Sequence, residues 1–354
     1  MAIFVQSEIS LRQLTTTDGD AYASLMAASP DTGRISASQH FEIDAYQALA
    51  AMHGNFAGVV VEHSRFRGLV GGGLVTFGKC QFEGGIRSYA LLNTLVVHPS
   101  FRRRGIASQL ARWRLNFAEQ KVGSDGVIWA IIQQGNIGSE STARKWQRQL
   151  LHDRLLLIPL RPRKTSPRLV HDYRIGPVPS DKFKSVSEQL NGFYQSFNMF
   201  TARSETELAA WCARTPFEEP FRHFLIVRND HDDIVAGLVV TETYRLRSLH
   251  IVKSPLVARL ANRLFHIVPS DYIVREIGLS HIWFAPGQQK AARYLLDTIR
   301  WEWRNKASSF MVWIDELSPC MGILDLHPWT LKTTCGVAIQ CCVTVSERNP
   351  FYYE

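Results

Sequence analysis

The sequence predicts a mixed α+β chain of two domains, each a mostly antiparallel central sheet flanked by helices. Three observations carry this expectation. At 354 residues, the chain exceeds the roughly 250 to 300 residues that one hydrophobic core usually serves. Its first half reads as an antiparallel meander followed by a strand, helix, strand unit. Its second half repeats that outline in spacing more than in identity, as an internal duplication would.

In the first half, Ile9 to Leu14 alternates apolar and polar side chains like a half-buried strand, and Thr15-Thr16-Thr17-Asp18 offers a cap for a helix over Ala21 to Met26. Phe56 to Glu62 and Leu69 to Phe77 are apolar, β-branched runs joined by His63-Ser64-Arg65-Phe66-Arg67-Gly68, which fits a hairpin. Tyr89 to Val97 continues the meander until His98-Pro99 stops it. A helix is expected from about Gly105 to Gln120, with Ile106, Leu110, Trp113 and Phe117 at helical spacing. Val127 to Ile132 reads as a strand, Ser139 to Leu151 as a helix and Leu155 to Leu160 as a last strand. The prolines and charges of Arg161 to Pro167 deny regular structure. They place a boundary there or near Pro177-Val178-Pro179, with domains at 1–162 and 180–354. Beyond it, Phe224 to Asn229 and Ile234 to Thr241 form a hairpin around His231-Asp232-Asp233. His281 to Ala285 is a strand ended by Pro286-Gly287, Gln288 to Lys306 a helix, and Phe310 to Ile314 the strand after it.

A composition of 45% apolar and 20% charged residues is that of a packed globular protein. The net charge of +8 attracts nucleic acid, acidic lipid or a phosphorylated small molecule alike. Its two concentrations, Arg102 to Arg114 and Arg161 to Arg174, lack the interleaved aromatics of a single-strand binding surface, so nucleic acid is not the expected partner. No apolar run approaches the roughly 18 residues needed to cross a bilayer, and the first residues carry no export signal, so no membrane partner is expected. Cys80, Cys212, Cys320, Cys335, Cys341 and Cys342 form neither a disulfide framework nor a C-x-x-C pair. A cytoplasmic setting without metal is expected.

Chemistry concentrates in Val96-Val97-His98-Pro99-Ser100-Phe101-Arg102-Arg103-Arg104-Gly105-Ile106-Ala107-Ser108. If Val97 ends a strand and Gly105 opens a helix, the unpaired first-turn amides and the positive end of the helix dipole form an anion site suited to a pyrophosphate. Gly105 removes a side chain where phosphate approaches, Ala107 and Ser108 keep the surface open, and the arginines add charge and donors.

This stretch resembles the coenzyme A motif of the GNAT superfamily of acyl-CoA-dependent N-acyltransferases, Gln/Arg-x-x-Gly-x-Gly/Ala, with Arg102, Gly105 and Ala107 at its fixed positions. The resemblance covers roughly residues 7 to 160 in element order. It implies a splayed sheet with the pantetheine between two diverging central strands. By the same resemblance the backbone of Leu95, Val96 and Val97 would hold the pantetheine and thioester. Arg102, Arg103, Arg104, Gly105, Ile106, Ala107 and Ser108 would take the pyrophosphate, and Asn136 would contact the pantetheine arm, although an Asn in such a turn also serves turn chemistry.

The catalytic pattern of the family departs here. Many relatives place a Glu on the strand before the loop and a Tyr on the helix after the next strand; this chain has Asn93 and Thr94 at the first place, Trp146 at the second, and Leu150-Leu151 where Gly-Phe is usual. No residue takes a catalytic role on these grounds. His98, Glu83, Tyr89 and Glu140 each read first as structural or surface residues. In the second half, Lys290 of Gly287-Gln288-Gln289-Lys290-Ala291-Ala292 falls opposite Gly105, so this half is expected to be a degenerate copy without cofactor binding. Trp301, Trp303 and Trp313 read there as core. The chain as a whole resembles tandem GNAT proteins. The expected function is acetyl transfer from acetyl-CoA to an amine, small molecule or peptide, by a monomer or homodimer. A non-catalytic acyl-CoA-binding or regulatory protein is the alternative, and an RNA-associated protein a third reading.

Overall fold

The computed structural model describes residues 8–31, 36–253, 269–326 and 330–353; the opening segment Met1 to Ser7 lies outside them. The meander opens with β1 (Ile9–Gln13) and α1 (Gly19–Ala28), followed by β2 (Ser36–Phe41), α2 (Ala45–His53), β3 (Phe56–His63), β4 (Phe66–Phe82) and β5 (Gly85–Val97). Then come α3 (Ile106–Val122), β6 (Val127–Gln133), α4 (Ile137–Ala143) and β7 (Gln149–Leu160). The second half supplies β8 (Arg174–Pro177), α5 (Phe183–Phe193), α6 (Glu205–Ala213), β9 (Arg222–Arg228), β10 (Ile234–Thr241), β11 (Arg247–Lys253), β12 (Ile273–Val274) and β13 (Glu276–Phe284). It ends with α7 (Gln289–Glu302), β14 (Ser309–Asp315) and β15 (Thr333–Gln340).

Among the described residues, twelve strands form one sheet in the order β1-β3-β4-β5-β6-β15-β7-β14-β13-β10-β9-β8, and β12-β11-β2 form a second. The duplication is visible in that order. β1, β3, β4, β5 and β6 match β8, β9, β10, β13 and β14, and each half has one parallel pair, β5 with β6 and β13 with β14. The final strands are exchanged. β15 lies against β6, β7 lies against β14, and the two exchanged strands pair with each other at the middle. The central sheets of the two halves are therefore joined through these strands into one.

Helices cover both faces of the first half. α3 packs on Val59, Val61 and Val70 through Ile106 and Leu110, while α1 and α2 pack on Val60, Leu69 and Leu74 from the other side. Gly71, Gly72 and Gly73 make this sandwich thin. A Cβ on Gly71 would stand 3.0 Å from Ile106, on Gly72 3.0 Å from Tyr22, and on Gly73 2.9 Å from Arg114.

The helix expected over Ser139 to Leu151 ends at Ala143; Leu150 and Leu151 belong to β7, where they pair with Ala338 and Val337 of β15. An exchanged neighbour that local periodicity cannot reveal draws these leucines into the sheet. Trp301, Trp303 and Trp313 are half-buried. Trp313 stacks edge-on against Tyr353 at 4.9 Å and Trp301 lies under Arg304 at 3.6 Å.

β1 and α1 are tied by a bidentate pair in which Arg12 donates to both Asp18 oxygens at 2.7 Å. Asp18 also accepts from the Thr15 amide and hydroxyl at 2.8 Å. The Arg12 bonds hold its carboxyl well below the usual carboxylate range. A depressed acid stabilises the fold above its unfolded pKa of about 4 and loses that contribution as pH falls below it. Asp18→Asn is expected to cost about 1 to 2 kcal/mol at pH 7 and to flatten the acid side of the stability profile, as urea unfolding at pH 7 and below pH 4 would measure.

Candidate active site

β5 and β6 pair in parallel only from Tyr89–Val127 to Leu91–Trp129, yet β5 continues to Val97 and β6 to Gln133. Beyond that last rung the strands part. Asn93, Thr94, Leu95, Val97 and Ile131 along the gap are half-buried and Gln133 is exposed.

The arginine-rich loop lies at the wide end of this splay. His98 caps a 3-10 turn over Pro99–Phe101, its Nδ1 accepting from the Ser100 amide at 3.3 Å, and its ring packs with Phe66 and Phe101. The exposed Arg102 bends back: Nε donates to Val97 O and Nη2 to Pro30 O, each at 3.1 Å. Its side chain latches the loop, a role the motif alone does not reveal. Arg103 and Gly105 take left-handed conformations, φ +66° and +79°, and Gly105 is the N-cap of α3 with no side chain capping the helix. A Cβ on Gly105 would meet nothing within 4 Å, so the glycine is required by its φ and the space beside it is open. The amides of Ile106, Ala107 and Ser108, which no preceding turn can satisfy, face this opening with Arg103 and Arg104 exposed beside it.

Asn136, beyond β6, is the N-cap of α4, its Oδ1 accepting from the Ser139 amide at 3.1 Å. Glu140 closes the same turn by accepting from the Gly135 amide at 3.1 Å. Glu83 joins the halves: its amide donates to Asn198 Oδ1 at 2.8 Å, and its Oε1 accepts from Asn198 Nδ2 at 2.6 Å. His98, Glu140 and Glu83 are thus structural. Trp146 packs on the core beside α3 and β15.

Tyr89 differs, because it faces a cleft of about 640 Å³ on the side of the sheet opposite α3. Thr76 and Phe77 of β4, Leu91 of β5, Trp129 of β6, His53 at the end of α2 and Asn55 just after it contribute one wall. Arg203, Glu207, Trp211 and Arg214 of the second half, with Tyr352 and Tyr353, contribute the other. Alternation explains the sidedness: Ala90, Leu92, Ile128 and Ala130 point toward α3, and their neighbours Leu91 and Trp129 toward the cleft. The cleft therefore opens onto the last rung of the parallel pair, the point where the splay begins. Glu207 is engaged by the amide and hydroxyl of Ser204, both at 2.8 Å, which keep its carboxyl below the usual range. The second-half wall went unpredicted, because these residues approach the first half only through the fold.

The second half has the same splay, closed. β13 and β14 pair in parallel up to Leu279–Val312, and beyond that rung His281, Ile282, Trp283, Phe284, Ile314 and Asp315 are buried. Tyr194 donates to Ile282 O at 2.6 Å, Cys320 Sγ lies 3.1 Å from the same oxygen, and the Phe351 amide donates to Asp315 at 2.8 Å. These groups leave a void of about 20 Å³. Helix α7 also begins earlier relative to its buried face than α3 does. Matching its buried face to that of α3, Ala291 with Ile106 and Leu295 with Leu110, puts Lys290 opposite Gly105, and the helix already runs through it from Gln289.

Residues 28–146 match the family model described as Acetyltransferase (GNAT) family. No curated protein matches the chain in sequence. Among solved structures, Saccharomyces cerevisiae N-myristoyltransferase with bound myristoyl-CoA is similar in fold at 9% identity and a TM-score of 0.65, over 95% of this chain and 83% of that one. A GCN5-related N-acetyltransferase from Sphaerobacter thermophilus aligns at 11% identity and a TM-score of 0.54, covering 94% of this chain and 95% of its own. A tandem GNAT protein from the clavulanic acid biosynthesis pathway aligns at 11% identity and a TM-score of 0.54, covering 94% and 98%. Residues 28–146 thus carry the GNAT family match, and with its splay, loop and duplicated order the chain as a whole has the fold of GNAT acyltransferases in a tandem arrangement, its C-terminal half keeping the fold with its splay closed.

Proposed function

We propose that the protein is an N-acetyltransferase that binds acetyl-CoA in the first half and acetylates an amine held in the cleft between the halves. The observation that carries this reading is the difference between the two splays: one is open and leads from an uncapped helix N-terminus to the cleft, the other is filled. In this reading the backbone of Leu95, Val96 and Val97 lies along the pantetheine. The loop Arg102 to Ser108 surrounds the pyrophosphate, with Arg102 as its latch, and Asn136 stands at the edge of the arm. The amine nitrogen attacks the thioester carbon from the cleft, the C–S bond breaks, and the thiol leaves with the proton that the amine gives up. Residues 1–162 and 180–354 are read as two units, each lending its last strand to the other, and the second unit supplies the far wall of the cleft. A cleft of about 640 Å³ is of the size that encloses a whole small molecule or a short peptide segment.

Calorimetric titration with CoA, acetyl-CoA and longer acyl-CoAs up to myristoyl-CoA, followed by thiol release with a panel of amines and short peptides, tests the reading. One acetyl-CoA site per chain at micromolar affinity and amine-dependent thiol release are expected. Stronger binding and faster turnover of a long acyl chain would replace acetyl as the donor, and the absence of binding to any thioester would remove the acyltransferase reading.

A further inference from the structure

Arg114 is a cation in an unusual place. It lies on the sheet-facing side of α3 and is 5% exposed; among the described residues no carboxylate pairs with it, and its Nε has no hydrogen-bond partner. Burial lowers its pKa to about 10. A buried guanidinium without a counter-charge is expensive to keep. Its Nη1 donates to two backbone oxygens, Asn93 O and Thr94 O, the latter at 3.2 Å. These belong to consecutive residues, whose carbonyls an unbroken strand would send to opposite sides. The break is visible in the register: Gly73 pairs with Leu95 and Leu74 with Asn93, leaving Thr94 as the extra residue of a β-bulge. The space for the guanidinium stem exists because residue 73 is glycine, where a Cβ would stand 2.9 Å from Arg114 Cδ.

The bulge lies just past the last parallel rung, Leu91–Trp129, at the narrow end of the open splay. The C=O of Thr94 and the N–H of Leu95 belong to one planar peptide, so a grip on the oxygen sets the direction of the amide. The second half offers an internal comparison. The face match that pairs Leu110 with Leu295 brings Ile299, buried among apolar residues, to the place of Arg114, and there the splay is closed. At this matched helix position the cation accompanies the open splay and the apolar side chain the closed one.

We propose that Arg114 is a positioning residue for acyl transfer, holding the Thr94 bulge so that the Leu95 peptide is fixed against the thioester. This inference rests on the acyl-CoA reading of the first half. The pin itself can be tested without ligand. In Arg114→Met, which keeps the apolar stem and removes the donors, amide hydrogen exchange over residues 92–96 is expected to accelerate on the order of 10-fold relative to residues 57–61 of β3, and Arg114→Lys is expected to recover part of the protection. With ligand, the infrared carbonyl stretch of acetyl-CoA labelled with carbon-13 at the thioester is expected to move on binding to the native protein. In Arg114→Met the shift should be lost while affinity for CoA stays within threefold. Arg114→Lys, which retains a buried cation, provides the measurement if the Met variant does not fold. Unchanged exchange over 92–96 in the substituted protein, or an unchanged carbonyl shift, would overturn the proposal. Failure of the native protein to bind any acyl-CoA would instead remove the reading beneath it and leave the exchange experiment to decide the pin alone.

Discussion

Gly105→Glu is expected to weaken CoA binding at least 100-fold while leaving the protein folded. Two effects add. A side chain at φ +79° costs about 1 to 2 kcal/mol in the left-handed region, which lowers thermal stability by a few degrees. The new carboxylate also stands in the opening at the α3 N-terminus, where it takes the place of the pyrophosphate and repels it. Gly105→Ala separates the effects: it introduces the strain without the charge, so thermal stability should fall as in Gly105→Glu while CoA affinity drops far less, because strain carried equally by the free and bound protein cancels in binding. Lys290→Glu, on the matching turn of α7, should bind CoA as the native protein does. Calorimetry on the three variants decides the matter, and affinity within threefold of native for Gly105→Glu would dismiss the loop as the phosphate site.

Val337→Asp is expected to unfold the whole chain and to abolish CoA binding, although Val337 lies far along the sequence from the loop. Val337 is 0% exposed and sits on β15 between Ile131 of β6 and Leu151 of β7. An unpaired carboxylate at that position costs on the order of 4 kcal/mol or more, a large part of the total stability of a domain. Because β15 completes the first half and β7 completes the second, both halves should melt in one transition, followed by circular dichroism and tryptophan fluorescence. Two separate transitions, with CoA still bound above the first, would show that the exchanged strands do not couple the halves.

The legible part of this molecule was local. A strand, an arginine-rich turn, a glycine and an amphipathic helix lie in one continuous stretch, so their geometry follows from backbone preferences that neighbouring residues set. The hairpins and the second-half helix were legible for the same reason. The strand exchange was not, since no local feature of Thr333–Gln340 names its partner strands and the segment went unread; the same missing partner let Leu150 and Leu151 read as helix. Arg114 was hidden by its neighbours. Among Arg102, Arg103, Arg104 and Arg112 it reads as one more solvated cation, and the apolar periodicity through Ile106, Leu110, Trp113 and Phe117 directs attention elsewhere. The structure instead buries Ile106, Leu110, Arg114 and Ala118, a ladder of every fourth residue that was present in the sequence, while Trp113 and Phe117 stack on each other at 4.9 Å. The far wall of the cleft, from Arg203 to Arg214, had no local signature because its place depends on how the halves meet.

The exchanged strands also bear on how the chain is made. The first half leaves the ribosome with β6 lacking its neighbour and β7 lacking both of its own, and those neighbours, β14 and β15, are synthesised some 150 to 180 residues later. At bacterial or eukaryotic elongation rates that is a delay of roughly 8 to 36 seconds, during which three unpaired strand edges are open to other chains. Completion of the first half thereby waits for the synthesis of Thr333–Gln340, and a message stalled or truncated before that strand would yield a nascent chain that carries the arginine loop on an unfinished sheet.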